Sequence, residues 1–307
     1  MNYKSVNDLF DTIRRNSFRL QKKYDLIVGI PRSGCLAAYG VALNLNLPAQ
    51  SLQEYKLGLA PEHGTTRAPV SEKKAKRRVL IVDDSAHSGR SLEIAKNSIA
   101  QIGDEVTTCA IYSHNKCEVE PDLYFEQVSI PRVFEWNLFH RTDTINMCFD
   151  LDGVFCEDPT DYENDDGEKY KTFINNVAAK NIPTYEIGDI VSARLEKYRP
   201  QTEQWLKKNG IKYRNLHLID LPSAVERQKL APHASFKASI YGRLTESKLF
   251  IESDARQARE IADMTGKPVF CMETNDIFYP HSIGNIAKNK VRDLKYRILK
   301  KIRPKSW

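Results

Sequence analysis

Twice in this chain an apolar run of strand length ends in two carboxylates. Residues 79–82 (VLIV) lead into Asp83-Asp84 and the polar stretch SAHSGRS, and residues 147–149 (MCF) lead into Asp150-Leu151-Asp152-Gly153. Short, continuously apolar runs bounded by polar turns are how buried parallel strands read, and such strands present ligand-binding residues at their carboxyl ends. Two acid-tipped strands of different spacing therefore predict two parallel sheets, each with its own site. Further runs at 26–28, 106–112, 189–191, 216–219, 249–251 and 269–271 alternate with helical patterns such as residues 91–102. That alternation predicts an α/β fold throughout. At 307 residues the chain has room for two domains, each of roughly 100–200 residues.

The polar segment HRTDT at 140–144 is the natural break, giving expected domains over 1–142 and 143–284, followed by a tail over 285–307. Residues 288–307 hold nine Lys or Arg and one acid, so the tail carries +8 and the other 287 residues sum to −2 against a chain total of +6. Val291, Leu294, Ile298 and Ile302 fall on one helical face among these cations, a pattern suited to an anionic membrane surface or to contact with a partner protein. A near-neutral body without a recognition module argues against nucleic acid. No apolar run approaches the ~20 residues of a membrane span, and the charged N-terminus reads as an amphipathic helix with Val6, Leu9, Phe10 and Ile13 on one face rather than as a secretory signal. The six cysteines form no C-x-x-C pair and several sit in apolar runs, so buried thiols and a cytoplasmic setting, with peripheral membrane contact through the tail, are expected. Residues 54–78 are too long and polar for an ordinary connection and read as a lid. Within it Lys73, Lys74, Lys76, Arg77 and Arg78 are a solvated charge run or a contact for an anion, and Glu54, Glu62 and His63 are titratable candidates for acid–base work.

Hydroxyls and successive backbone N–H groups at a helix start make a phosphate site, and adjacent carboxylates accept hydrogen bonds from vicinal hydroxyls. In VLIVDDSAHSGRSL the two lie together, which describes a ribose bearing a 5-phosphate. This stretch resembles the 5-phosphoribosyl-1-diphosphate (PRPP) motif of type I phosphoribosyltransferases, carried by Asp83, Asp84, Ser85, Ala86, His87, Ser88, Gly89, Arg90 and Ser91. Upstream, DLIVGIPRSGCLAA resembles that family's diphosphate loop, with Gly29, Arg32, Ser33 and Gly34 at the end of the strand over 26–28. The resemblance covers residues 20–130 or so and implies displacement of diphosphate from PRPP with Mg²⁺ assistance, under a lid, with an acceptor-binding hood at 131–137 (PRVFEWN).

In FDLDGVF, strand alternation sends Asp150 and Asp152 to one side, which suits one nucleophile and one proton donor. A lone DxD serves many metal sites. Here, however, DLDGV resembles the first motif of the haloacid dehalogenase (HAD) superfamily, Ser192 after residues 190–191 the second, Lys237 in SFKASIY the third, with Lys248 as its rival, and FIESD at 250–254 the fourth. The resemblance implies a Rossmannoid domain with a minimal cap. Asp150, Asp152, Ser192 and Lys237 would be its catalytic groups, and Asp150, Asp152, Glu252 and Asp254 its Mg²⁺ site. The acid at position 152 favours a phosphatase.

Phosphoribosyl transfer leaves a 5-phosphate on its product, and a phosphatase behind it removes that phosphate. The pair resembles the dual-domain ribofuranosyltransferases of bacterial surface-polysaccharide assembly. This implies PRPP as donor, a glycan acceptor of the lipid-linked oligosaccharide kind, and a β-ribofuranosyl product, with a glycosyltransferase complex as the kind of partner the tail would contact. The alternative is a nucleobase phosphoribosyltransferase fused to a nucleotide 5-phosphatase.

Overall fold

The computed structural model describes residues 1–61, 76–226 and 233–280, and the chain divides into two compact units, Met1–Trp136 and Asn137–Trp307. In the first, β1 (Asn2–Lys4) leads into α1 (Val6–Asn16), whose start is fixed by a reciprocal capping box between Ser5 and Asp8. Then follow β2 (Leu26–Gly29), α2 (Ser33–Leu45), β3 (Ala49–Ser51), α3 (Leu52–Lys56), β4 (Arg78–Ala86), α4 (Arg90–Asn97), β5 (Glu105–Ser113), β6 (Leu123–Gln127) and β7 (Arg132–Phe134). Five strands make one parallel sheet in the order β3-β2-β4-β5-β6, and β1 pairs with β7 apart from it. Alternation sends Ile27, Leu80, Val82, Cys109 and Ile111 to a core shared with Leu9 and Ile13 of α1 and with α2. Leu26, Val28, Val79, Ile81 and Ala110 go to the opposite core, with Leu92 and Ala95 of α4. Covering on both faces is why these strands are apolar without interruption.

The second unit contains β8 (Met147–Phe149), α5 (Glu168–Asn176), β9 (Ile187–Leu195), α6 (Arg199–Lys208), β10 (Tyr213–Ile219), α7 (His233–Arg243), β11 (Leu249–Glu252), α8 (Ala255–Thr265), β12 (Val269–Cys271) and β13 (Asp276–Phe278). Its sheet runs β10-β9-β8-β11-β12-β13, parallel except for the antiparallel β12–β13 pair. One face packs Cys148, Val191, Phe250, Val269 and Cys271 against Ala234, Ala238 and Tyr241 of α7 and Ala258, Ile261 and Ala262 of α8. Alanines at the contact bring these helices close to the sheet.

Several expectations need correction. Residues 79–82 are only the middle of β4, which continues through Asp83, Asp84 and Ser85 to Ala86 because β5 pairs with it as far as Ala86↔Ser113, whereas β2 stops at Gly29↔Val82. Likewise β9 does not end at Ser192 but runs to Leu195 against β10, while β8 stops at Phe149↔Ile190. Phe10 is 37% exposed although Leu9 and Ile13 are buried, so α1 buries a narrower stripe than its sequence offered. The helix over 91–102 ends at Asn97 and yields to a short 3₁₀ turn, Ala100–Ile102, before Gly103. The segment 140–144 is anchored within the second unit. Thr144 is fully buried and donates its hydroxyl to the Arg141 and Glu186 carbonyls, and Phe139 packs 6.2 Å from Phe155. All six cysteines are free. Among the described residues no helix is long and apolar enough to cross a membrane. The tail over 285–307 and the lid residues Glu62, His63, Lys73 and Lys74 lie outside the described residues.

Candidate active sites

Because β4 outruns β2, Asp83 and Asp84 stand on a shelf beside the start of α2, both nearly buried at 9% and 4% exposure. Burial first, and the neighbouring Asp84 charge second, push the Asp83 carboxyl well above the usual carboxylate range. Asp83 accepts from the Asp84 N–H at 3.0 Å. Both oxygens of Asp84 are occupied: Ser33 Oγ donates to Oδ1 at 2.6 Å and Trp136 Nε1 to Oδ2 at 2.8 Å. Among the described residues no lysine or arginine forms an ion pair with either acid. Gly34 makes this approach feasible, since a Cβ there would lie 2.9 Å from both Asp83 Oδ1 and the Val82 carbonyl. Gly29 closes β2, while Arg32 sits exposed just before α2 and Ser33 begins it.

After Ala86 the chain turns through His87, Ser88 and Gly89 into α4. Gly89 has φ +82°, and a Cβ there would fall 1.8 Å from the Val119 carbonyl, so this turn admits only glycine. The carbonyls on the loop are engaged: Ala86 accepts from His114 N and from the buried Arg132 guanidinium at 2.9 Å, Ser88 from Val119 N, and His87 from Cys117 Sγ. The N–H groups of His87, Ser88 and Gly89 meet no acceptor among the described residues. N–H groups without acceptors just ahead of a helix start can form an anion nest. Ser85, Ser88 and Ser91 border it, Arg90 pairs with Glu118 in solvent, and the His87 and His114 rings lie 5.4 Å apart.

The second unit assembles its groups at the carboxyl ends of three adjacent strands, β9, β8 and β11. Lys237 on α7, 2% exposed, donates to Asp150 Oδ2 at 2.7 Å, Glu252 Oε2 at 2.8 Å and Gln257 Oε1 at 3.0 Å. Burial alone would strip its proton, but the two carboxylates outweigh that and hold the ammonium charged. Asp150 itself is pushed well above the usual range by burial, opposed by Lys237 and reinforced by Glu252. Lys248 precedes β11 at its other end, exposed, and plays no part in this cluster. Asp152 is gripped by Arg194, whose Nη2 lies 2.6 Å from Oδ1 and whose Nε lies 3.0 Å from Oδ2. Arg194 is 1% exposed; burial disfavours its cation, and Asp152 more than compensates. Ser192, also 1% exposed, accepts from the Arg194 N–H.

The four acids expected to bind a metal together do not assemble as one set. Among the described residues no group of three or more His, Cys, Asp or Glu side chains is arranged to hold a metal ion. Asp152 is taken by Arg194, and Asp254 Oδ1 caps α8 through Gln257 N at 2.8 Å. Asp150 and Glu252 remain as a convergent pair, and two hard carboxylates suit Mg²⁺, which completes its shell with waters and phosphate oxygens. Glu54 is the capping-box acid of α3, held low by its hydrogen bonds to Ser51, and Arg77 and Arg78 pair with Asp104 and Asp25 at the far end of β4. None of the three reaches the acids. Sequence reading missed Arg194, Gln257, the Arg132 contact to the loop and the Trp136–Asp84 bond. The only available signal was Ser192-Ala193-Arg194, where a cation sits two residues past a motif hydroxyl on the same strand face.

The first unit is thus a parallel α/β unit with paired acids on an overhanging strand beside an anion nest. A family model described as phosphoribosyl transferase domain matches residues 2–142, and the N-terminal part of this chain is such a domain. An orotate phosphoribosyltransferase of Staphylothermus marinus is 33% identical over 95 residues, which are 31% of this chain and 44% of that protein. The chain therefore spans less than half the length of that curated relative. Among solved structures, a purine phosphoribosyltransferase from Pyrococcus horikoshii is similar at 23% identity and TM-score 0.34, over 44% of this chain and 92% of the other. A Helicobacter pylori xanthine-guanine-hypoxanthine phosphoribosyltransferase is similar at 15% identity and TM-score 0.34, over 45% and 92%.

Proposed function

We propose that the chain carries out two successive phosphate reactions on one product: phosphoribosyl transfer from PRPP to a glycan hydroxyl in the first unit, then hydrolysis of the 5-phosphate in the second. The observation that carries the pairing is Lys237 bridging Asp150 and Glu252 beside the Asp152–Arg194 pair, in a chain whose first half is a phosphoribosyl transferase domain. In the first unit the nest at His87, Ser88 and Gly89 holds the 5-phosphate, Asp83 and Asp84 take the ribose hydroxyls, and the Gly29–Gly34 loop with Arg32 and Ser33 receives diphosphate. In the second, which this reading takes to be HAD-like, Asp150 attacks phosphorus and the sugar oxygen leaves with a proton from Asp152. Water then hydrolyses the acyl phosphate with Asp152 as base. Arg194 orients the Asp152 side chain, and its charge-assisted bonds stabilise the carboxylate left once the proton has gone to the sugar oxygen; Ser192 holds the phosphoryl group, and Lys237 offsets its charge. Mg²⁺, when bound, shields phosphate charge at both sites, with Asp150 and Glu252 as its holders in the second.

The test is mass spectrometry of synthetic and lipid-linked oligosaccharides incubated with PRPP and Mg²⁺, with wild type and Asp150→Asn. Wild type should add an unphosphorylated pentose and the variant a phosphopentose. A nucleobase acceptor is the second reading, favoured by the 33% identity to an orotate phosphoribosyltransferase. If every oligosaccharide stays unmodified while orotate consumes PRPP, that reading replaces the glycan one.

A further inference from the structure

Asp84 is 4% exposed, and each of its oxygens already has a donor: Ser33 Oγ at 2.6 Å and Trp136 Nε1 at 2.8 Å. A carboxylate that is to receive a vicinal diol must present an open lone pair to it, and at this burial a ribose hydroxyl reaches Asp84 most directly where one of these donors now sits. One of the two then gives way. Ser33 is the poorer candidate because its bond to Asp84 is the shorter, 2.6 Å against 2.8 Å. Trp136 sits in a single 3₁₀ turn, Glu135–Asn137, after β7. Its backbone neighbour Glu135 is tied to α1 through Val6 N at 2.6 Å, so the chain stays fixed while the indole can rotate. The ring has a surface to move along, being stacked 4.9 Å from Phe134 and 6.4 Å from Tyr112 with interplanar angles of 13° and 16°.

We propose that Trp136 is a donor-sensing positioning residue: its indole N–H occupies the ribose-hydroxyl place on Asp84 in the free protein and is released when the ribose of PRPP arrives. This rests on the reading of Asp83 and Asp84 as the ribose site. Before release, Trp136 shields a carboxylate that has no cation partner among the described residues. After release, the half-buried indole is free at the mouth of the site, where the acceptor must approach. Apparent donor affinity is lowered by the fraction of molecules in which the bond is closed, so removing the N–H while keeping an aromatic ring should tighten PRPP binding. Because one hydrogen bond to a charged group is at stake, Trp136→Phe should lower the PRPP Kd by about ten- to a hundredfold.

The experiment has two parts. Isothermal titration of PRPP with Mg²⁺ compares wild type with Trp136→Phe, after thermal melts establish that both are folded. In wild type uniformly labelled with ¹⁵N, the Trp136 indole N–H resonance, assigned by its loss in the variant, is followed during titration with PRPP, ribose 5-phosphate and inorganic diphosphate. The two ribose ligands should move that resonance and speed its solvent exchange, and diphosphate should not. An unchanged or weaker PRPP Kd in the variant, or an indole resonance that ignores ribose ligands although PRPP binds, overturns the gate and leaves the donor site standing. Absence of PRPP binding to either protein overturns the donor site, and the gate with it.

Discussion

Both units push polar residues past the end of a neighbouring strand, yet they treat the exposed charge differently. In the first, β4 carries Asp83 and Asp84 beyond β2, and the donors they accept from are neutral: a hydroxyl, an indole N–H and a backbone amide. In the second, Asp150 and Glu252 share Lys237, and Asp152 is held by Arg194. Uncompensated carboxylates cost stability, and they remain available to hydroxyls and to a divalent cation. Carboxylates clamped by buried cations are fixed in place and are ready to handle a group that is itself an anion. On the proposed reading, a site for a neutral sugar ring and a site for a phosphate ester would have different charge surroundings on the same kind of strand end.

The largest expected effect breaks that contrast in the second unit. Lys237→Met leaves Asp150 and Glu252 buried without their cation, and urea unfolding should show a loss of about 3–5 kcal/mol, with phosphatase activity abolished. Retained stability would mean that the carboxylates are already protonated. Gly34→Ala comes next, because its Cβ would lie 2.9 Å from Asp83 Oδ1 and from backbone. An overpacking cost of about 1–3 kcal/mol is expected, together with weaker PRPP binding by titration calorimetry. Asp84→Asn is the counterpart of Lys237→Met. No cation is orphaned, so stability should stay within about 1 kcal/mol while PRPP affinity falls roughly 10- to 100-fold. A large stability loss there would show that the first site is charge-compensated after all.

The smallest effects concern pH and have opposite signs in the two units. Asp83 is raised in the folded state, chiefly by burial, so its contribution is full below the ordinary carboxylate value and is lost as pH rises through its raised value. Asp189 is fully buried; burial pushes it up, but Arg214, His217 and Asn215 outweigh that and hold it low. Its contribution is present above the ordinary value and is lost as pH falls through its lowered one. Hydrogen exchange read separately in each unit should show Asp83→Asn flattening the alkaline-side decline of the first, and Asp189→Asn flattening the acid-side decline of the second. Matching slopes before and after substitution would remove these groups as the cause.

The strand cores were legible because continuous apolar runs leave few alternatives, and the turn at 87–89 because glycine and hydroxyl residues break such a strand before a helical pattern. Strand ends were not legible. Asp83 to Ala86 and Ser192 to Leu195 look like loop, yet ladder bonds to β5 and β10 keep them extended, and no local pattern reports a partner's length. The acids of both sites could be named, but their partners could not. Arg194, Gln257 and Trp136 approach from elsewhere in the chain, and their types at those positions fit a surface helix or a core aromatic equally well. Glu54, plausible as a base by type, is absorbed by a helix cap.

The most direct measurement is a ³¹P NMR time course of PRPP and Mg²⁺ with an oligosaccharide acceptor that gains mass, using wild type and Asp150→Asn. In wild type, diphosphate should appear first, a sugar phosphomonoester should rise and fall, and orthophosphate should follow in equal amount. The variant should stop at diphosphate and the phosphomonoester. Orthophosphate released equally by the variant, or diphosphate that never appears, would contradict two successive reactions on one product.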